Sequence, residues 1–334
     1  MNQQEKETAT NLQPECSIYE YILKHTYDGR LSDDFTIPWI SGNWAPGAKD
    51  GTFLYHMMPV ELDSVAEQKI LDALMMMSGE ESSQYTDEIF RIFEELDSDF
   101  LIVRLFDDIA RIFITHKEAL NLEKILNYGD WLISYGLSLL SVKLGLSLLA
   151  LFKVPFVEEV MTEFGVYDEF TYYAARVLSH ESRSNGNKNL FNLAKNVKGW
   201  GRIHAVEYLQ PTTQEIRDWL LFEGSNNVIH SQYSADICLQ KSGAKQRLFS
   251  TPSAEEYEAI GDLIQIALES DGPCPGITEG EVIIPKYLEL AGKYDINPAL
   301  RELIPNNGGN ISASDSSDTT ESGKDEGTLL KRTQ

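Results

Sequence analysis

Apolar side chains recur along this chain at the spacing of an α-helix and almost nowhere at the spacing of a strand. Ala66, Ile70, Leu74 and Met77 fall at i, i+4, i+8 and i+11, while Glu67, Lys69 and Asp72 lie off that stripe. Ile89, Phe93 and Leu96 repeat the pattern, as do Tyr257, Ile260, Ile264 and Ala267. Start signals agree with the stripes. Ser64 with Glu67, Thr212 with Glu215 and Ser253 with Glu256 read as capping boxes, in which each side chain satisfies a backbone donor of the first turn. Asn297-Pro298 reads as a cap followed by proline at the first helical position, and Pro155, Pro211 and Pro285 are placed at helix starts for the same reason. In the helix expected near 98–115, Arg104 with Asp108 and Asp107 with Arg111 form i,i+4 pairs of a solvated face. Only Asp50 to Met57 and Gly280 to Ile284 leave room for short strands, too few to alternate with helices in a parallel sheet. The expected class is all-α.

The most apolar stretch, Trp131 to Phe152, tests whether that class includes a membrane span. Lys143 splits it into uncharged runs of 12 and 9 residues, and Gly136 and Gly145 punctuate it. A span needs about 20 apolar residues in succession, so two buried helices are expected here instead. Cys16, Cys238 and Cys274 are odd in number and far apart, which excludes a disulfide framework and a zinc ribbon. Residues 1–14 are polar, with Glu5, Lys6 and Glu7 and no apolar signal segment. The expected compartment is the cytoplasm.

Charge narrows the partners. Against 28 Lys and Arg stand 52 Asp and Glu, a formal charge of −24. Phosphate backbones are bound by Lys and Arg displacing counterions, so the charge argues against nucleic acid and an anionic membrane surface and for a basic protein partner or none. With 42% hydrophobic residues the chain has enough apolar surface for a core.

The expected organisation has four parts. Residues 1–14 are disordered; 15–62 hold an N-terminal helix with a loop or short strand; 63–305 form a helical-repeat-like domain; 306–334 form a disordered tail rich in Ser, Thr, Asp and Glu. Gly129, Gly165 and Gly199, spaced by 36 and 34 residues, stand beside apolar aromatic segments and suggest helix pairs of the HEAT or tetratricopeptide kind. A non-repetitive helical array is the alternative.

Motifs that would carry chemistry are few. There is no H-E-x-x-H, G-x-S-x-G or Walker A loop, and no haem, flavin or metal motif. His204 and Glu207 have a metal-like i,i+3 spacing but read more simply as a surface pair. Gly199 and Gly201 match two of the three glycines of a dinucleotide turn, although the residues before them read as helix. Pro-Cys-Pro-Gly around Cys274 reads as a helix-closing turn, because the arginine or histidine of a haem-thiolate loop is replaced by Gly272. His56 and Tyr55, in the segment after the N-terminal helix, are the polar side chains best suited to an acid–base or ligand-facing role.

That same segment carries a resemblance. The order Ile18-Tyr19-Glu20-Tyr21-Ile22, Asp28-Gly29-Arg30-Leu31, Asp34-Phe35-Thr36-Ile37-Pro38, Ala48-Lys49-Asp50-Gly51 and Leu54-Tyr55-His56 resembles bacterial, mostly Gram-positive, helical proteins labelled limonene hydroxylase. The resemblance covers roughly residues 18–60. It implies an oxidoreductase that hydroxylates limonene, an apolar monoterpene, to carveol and perillyl alcohol. NAD-linked oxidation of those alcohols to carvone and perillyl aldehyde is implied as well. It supplies no catalytic residues. Two functions of different class are therefore expected: a monoterpene oxidoreductase using NAD, or a non-catalytic acidic helical module that binds a basic protein.

Overall fold

The computed structural model describes residues 14–300, apart from 59, 81, 270–272, 274, 275 and 296–298. The expectations for residues 1–13, for Cys274, for Asn297-Pro298 and for the tail after Pro305 lie outside the described residues. Among the described residues there are sixteen α-helices and no strand. The all-α expectation is met. Both short strands are corrected to helices, Ala48–His56 and Gly280–Glu289. Each segment lacks a pairing partner, so its backbone donors and acceptors are satisfied within a helix instead. No helix among the described residues is long and apolar enough to cross a membrane.

The chain divides into two compact units between Asn189 and Leu190. In the first unit the helices are α1 (Ile18–His25), α2 (Ala48–His56), α3 (Ser64–Ser78), α4 (Thr86–Asp99), α5 (Ile102–His116), α6 (Leu122–Tyr135), α7 (Leu139–Leu149), α8 (Pro155–Phe164) and α9 (Thr171–Leu178). Helix α10 (Gly186–Asn196) runs across the division. Helix α7 is the centre of this unit, packed by α4, α5, α6 and α9, with every residue from Ser141 to Leu149 buried. Helices α6 and α7 are the two expected from the apolar run. They cross closely because Gly129 and Gly145 remove side chains from the contact. A Cβ on Gly145 would lie 2.7 Å from Ile133 Cγ2 and 3.1 Å from the Gly129 carbonyl oxygen. Helix α1 packs on α6 and α8, which is why the N-terminal segment belongs to this unit.

The second unit holds α11 (Trp200–Tyr208), α12 (Gln214–Phe222), α13 (Gln232–Lys241), α14 (Ala244–Phe249), α15 (Ala254–Leu268) and α16 (Gly280–Glu289). Helix α13 touches α11, α12, α14 and α15. Tyr257 and Tyr287 stack at 4.2 Å, and Tyr294 adds a second stacked ring at 4.7 Å from Tyr257.

Local expectations fare unevenly. The Ser253–Glu256 capping box forms, and Pro155 opens α8. The caps of α3 and α12 shift by one residue: Asp63 accepts from the Ala66 N–H at 2.8 Å, and Thr213 accepts from the Ile216 N–H at 3.2 Å. A carboxylate at the N-cap is favoured by the helix dipole, which explains Asp63 over Ser64. Pro285 sits inside α16, and Pro211 lies ahead of the cap of α12. The expected i,i+4 pairs in α5 give way to other partners. Arg104 turns to backbone carbonyls, Asp107 pairs with Arg176, and Arg111 pairs with Asp108 and Glu67. The three evenly spaced glycines are not equivalent. Gly129 is inside α6, Gly165 closes α8, and Gly199 precedes α11, so their spacing does not mark a structural repeat.

Candidate functional site

The one charged side chain in the apolar run organises the core of the first unit. Lys143, on α7, is buried, and its Nζ lies 2.7 Å from Asp50 Oδ2 and 2.6 Å from Glu169 Oε1. The Asp50 and Glu169 contacts are both ion pairs to the one ammonium. Glu169 reaches further: its Oε2 accepts from the Gly47 N–H at 2.6 Å. Gly47 takes φ of 73°, a left-handed turn into α2 that suits glycine. Asp50 is on the first turn of α2, and Glu169 lies between α8 and α9. The Tyr173 hydroxyl, on α9, is fully buried with no hydrogen-bond partner and interacts electrostatically with Asp50 and Glu169.

Two carboxylates for one ammonium leave the cluster with surplus negative charge, and the surplus falls on Asp50. Burial raises the Asp50 carboxyl pKa despite the pull of Lys143, and the nearby charge of Glu169 adds to the rise. Burial alone would lower the Lys143 pKa. Asp50 and Glu169 together reverse that, so its ammonium is held above the ordinary value. Burial also raises the Tyr173 phenol well above its usual range.

A second feature of the first unit is an apolar groove. Phe90, Trp131, Leu132, Tyr135 and Leu137 line it, with Ser138 and Ser141 at one side, and its volume is about 320 Å³. Its rim is set by the turn from α6 to α7. The Gly136 carbonyl accepts from the Ile18 N–H at 2.9 Å, and the Leu137 carbonyl accepts from Trp39 Nε1 at 3.1 Å. Ser138 and Ser141 form the capping box of α7. Trp131, Tyr135 and Leu137 are exposed, so the groove opens to solvent. A polar groove of about 480 Å³ also lies in this unit, where Glu158, Glu159 and Glu163 of α8 face Lys153 and Arg183.

The residues singled out from the sequence are not gathered into one site. Tyr55 and His56 end α2, His56 exposed and Tyr55 half-buried, and neither lines the apolar groove. Gly199 and Gly201 belong to the second unit. Gly199 has φ of −95°, and Gly201 is buried within α11. The Gly199 carbonyl accepts from Asn227 Nδ2 at 3.0 Å, and helix α10 precedes the turn where a dinucleotide fold has a strand. This turn does not fit a dinucleotide pyrophosphate. His204 is buried, not at the surface, and no group of metal-ligating residues occurs among the described residues.

Burial pushes the His204 pKa from 6.5 down to about 3, keeping the imidazole neutral. The unfolded chain therefore binds this proton more tightly between those values. The stabilisation is complete above pH 6.5 and is lost as pH falls toward 3, at up to about 1.4 kcal/mol per pH unit. Urea midpoints of His204→Gln should fall less between pH 7 and 4.5 than those of the unaltered protein. Equal slopes would show that another group governs acid unfolding of this unit.

No motif or periodicity in the sequence joins Lys143, Asp50 and Glu169. The one available signal was a lysine inside an otherwise apolar helix pair. Comparison with protein-family models, with curated proteins and with solved structures finds no match to this chain.

Proposed function

We propose that the chain is an oxidoreductase of small apolar alcohols and hydrocarbons of monoterpene size, and that the groove beside Trp131 holds the substrate. The observation that carries this reading is the groove's shape and lining. Its volume of about 320 Å³ suits a ten-carbon ring compound, and its walls are mostly aromatic and aliphatic. The identity of the substrates, limonene and its alcohols perillyl alcohol and carveol, comes from the resemblance over residues 18–60. For the NAD-linked step that the resemblance implies, the cofactor would supply the hydride acceptor. The Gly199–Gly201 turn does not supply the phosphate cradle for that step.

The test is calorimetric titration of perillyl alcohol into the protein, followed by an assay of NADH formation. Trp131→Ala should weaken binding at least tenfold, since it removes the largest wall of an apolar site, worth about 1.4 kcal/mol or more. Absence of binding by perillyl alcohol and limonene alike would overturn the reading.

One observation favours the non-catalytic alternative. Glu158, Glu159 and Glu163 form an acidic wall of the polar groove in a chain of net charge −24, which suits a lysine- or arginine-rich segment of a partner protein. Salt-sensitive binding of a basic peptide, lost in Glu159→Lys, would support it.

A further inference from the structure

Helix α2 is fastened to the first unit by charge and backbone hydrogen bonds rather than by apolar burial. Within it only Asp50 and Gly51 are buried. At its N-terminal end, Glu169 accepts from the Gly47 N–H and Lys143 contacts Asp50. Lys49 adds a contact to Asp97 at 3.5 Å. At its C-terminal end, the Arg104 guanidinium donates to the carbonyls of Phe53, Met57 and Met58, the last two at 2.8 and 3.0 Å. It also sits 5.6 Å from the centre of the Phe53 ring. Met57, Met58 and Val60, which follow, are exposed. One ionic anchor and one guanidinium–carbonyl anchor thus hold a helix that contributes little to the core. Beneath its N-terminal anchor lie the amine of Lys143, the carboxylate of Glu169 and the unpartnered phenol of Tyr173.

We propose that α2 is a charge-latched strap that opens as one piece while α6 and α7 stay folded, and that its opening uncovers Lys143, Glu169 and Tyr173 as a set of acid–base groups. The inference is independent of the terpenoid reading, because it concerns the motion of α2 and not the groove beside Trp131. Elements that open below the global unfolding energy are those with few buried apolar contacts and exposed backbone bonds, as here.

The experiment is amide hydrogen exchange on the full chain, with acetylation of Lys143 followed by mass spectrometry. Arg104→Ala removes the C-terminal latch at the surface and leaves the buried cluster intact. Amide exchange in 49–58 is expected to speed up at least tenfold in this variant, with exchange in α6 and α7 unchanged and acetylation of Lys143 rising in parallel. Glu169→Gln, which keeps an acceptor for Gly47 but removes one charge from Lys143, should loosen the same amides. Unchanged α2 exchange in both variants would overturn the strap. Exchange of α2 and α7 at one common rate would overturn it too, since the unit would then open as a whole. Faster α2 exchange with Lys143 still unreactive would overturn the uncovering of the acid–base groups.

Discussion

Lys143→Met is expected to destabilise the first unit by about 3–5 kcal/mol, the cost of leaving buried charge without its partner. Asp50 and Glu169 would then face each other across the space that the ammonium neutralises, each on a side chain less than a tenth exposed. Urea unfolding at pH 8 measures the loss. The deficit should shrink at low pH. The raised pKa of Asp50 means that the folded state takes up its proton more readily than the unfolded chain does. Protonation of Asp50 therefore favours folding as pH falls through its folded value, and its ionisation costs stability as pH rises through it. Adding Glu169→Gln and Asp50→Asn to Lys143→Met should recover a large part of the loss, because no charge is then stranded. A single-variant deficit below about 1 kcal/mol would mean that water reaches the cluster and screens it.

Gly145→Val should cost about 1–3 kcal/mol through overpacking of the α6–α7 crossing. The new Cβ would stand 2.7 Å from Ile133 Cγ2, 3.0 Å from Leu132 Cβ and 3.1 Å from the Gly129 carbonyl oxygen, and the last is backbone that cannot turn aside. Gly129→Ala places its Cβ 3.2 Å from Leu148 Cβ and 3.3 Å from Leu149 Cδ2, so the loss should be smaller. Gly292→Ala, where nothing lies within 4 Å, is the control and should be near neutral. Thermal unfolding of the three variants checks the order. A neutral Gly145→Val would mean that the two helices separate easily.

The fold class was legible because helical periodicity is local: one stripe of Ala66, Ile70, Leu74 and Met77 needs no knowledge of the rest of the chain. Those four side chains are buried together on α3. The strand misreading at Asp50–Met57 has the same root. A segment whose buried face is one aspartate and one glycine shows no apolar stripe, so periodicity could not place it. Lys143 was visible as an interruption, but its partners are 93 residues before it and 26 after it, and spacing carries no information on such pairs. The glycine spacing misled because each glycine answers a different local need: a helix crossing, a helix end and a helix start. The apolar groove was invisible for a similar reason, since Phe90 joins it from a helix remote in sequence.

Two helix ends in this protein are closed by long cationic side chains that arrive from far along the chain. Lys241 donates to the carbonyls of Val206, Glu207 and Leu209, closing α11, with the first at 3.2 Å and the last at 3.0 Å. Arg104 does the same for α2. Terminal carbonyls satisfied in this way stay open to water until the distant cation docks. These helices are therefore expected to gain their last turns late in folding, after the loops that separate cap from carbonyl have closed. Substitutions at Lys241 or Arg104 should speed unfolding more than they slow folding, so those closures set how long the native state persists rather than how fast it is reached.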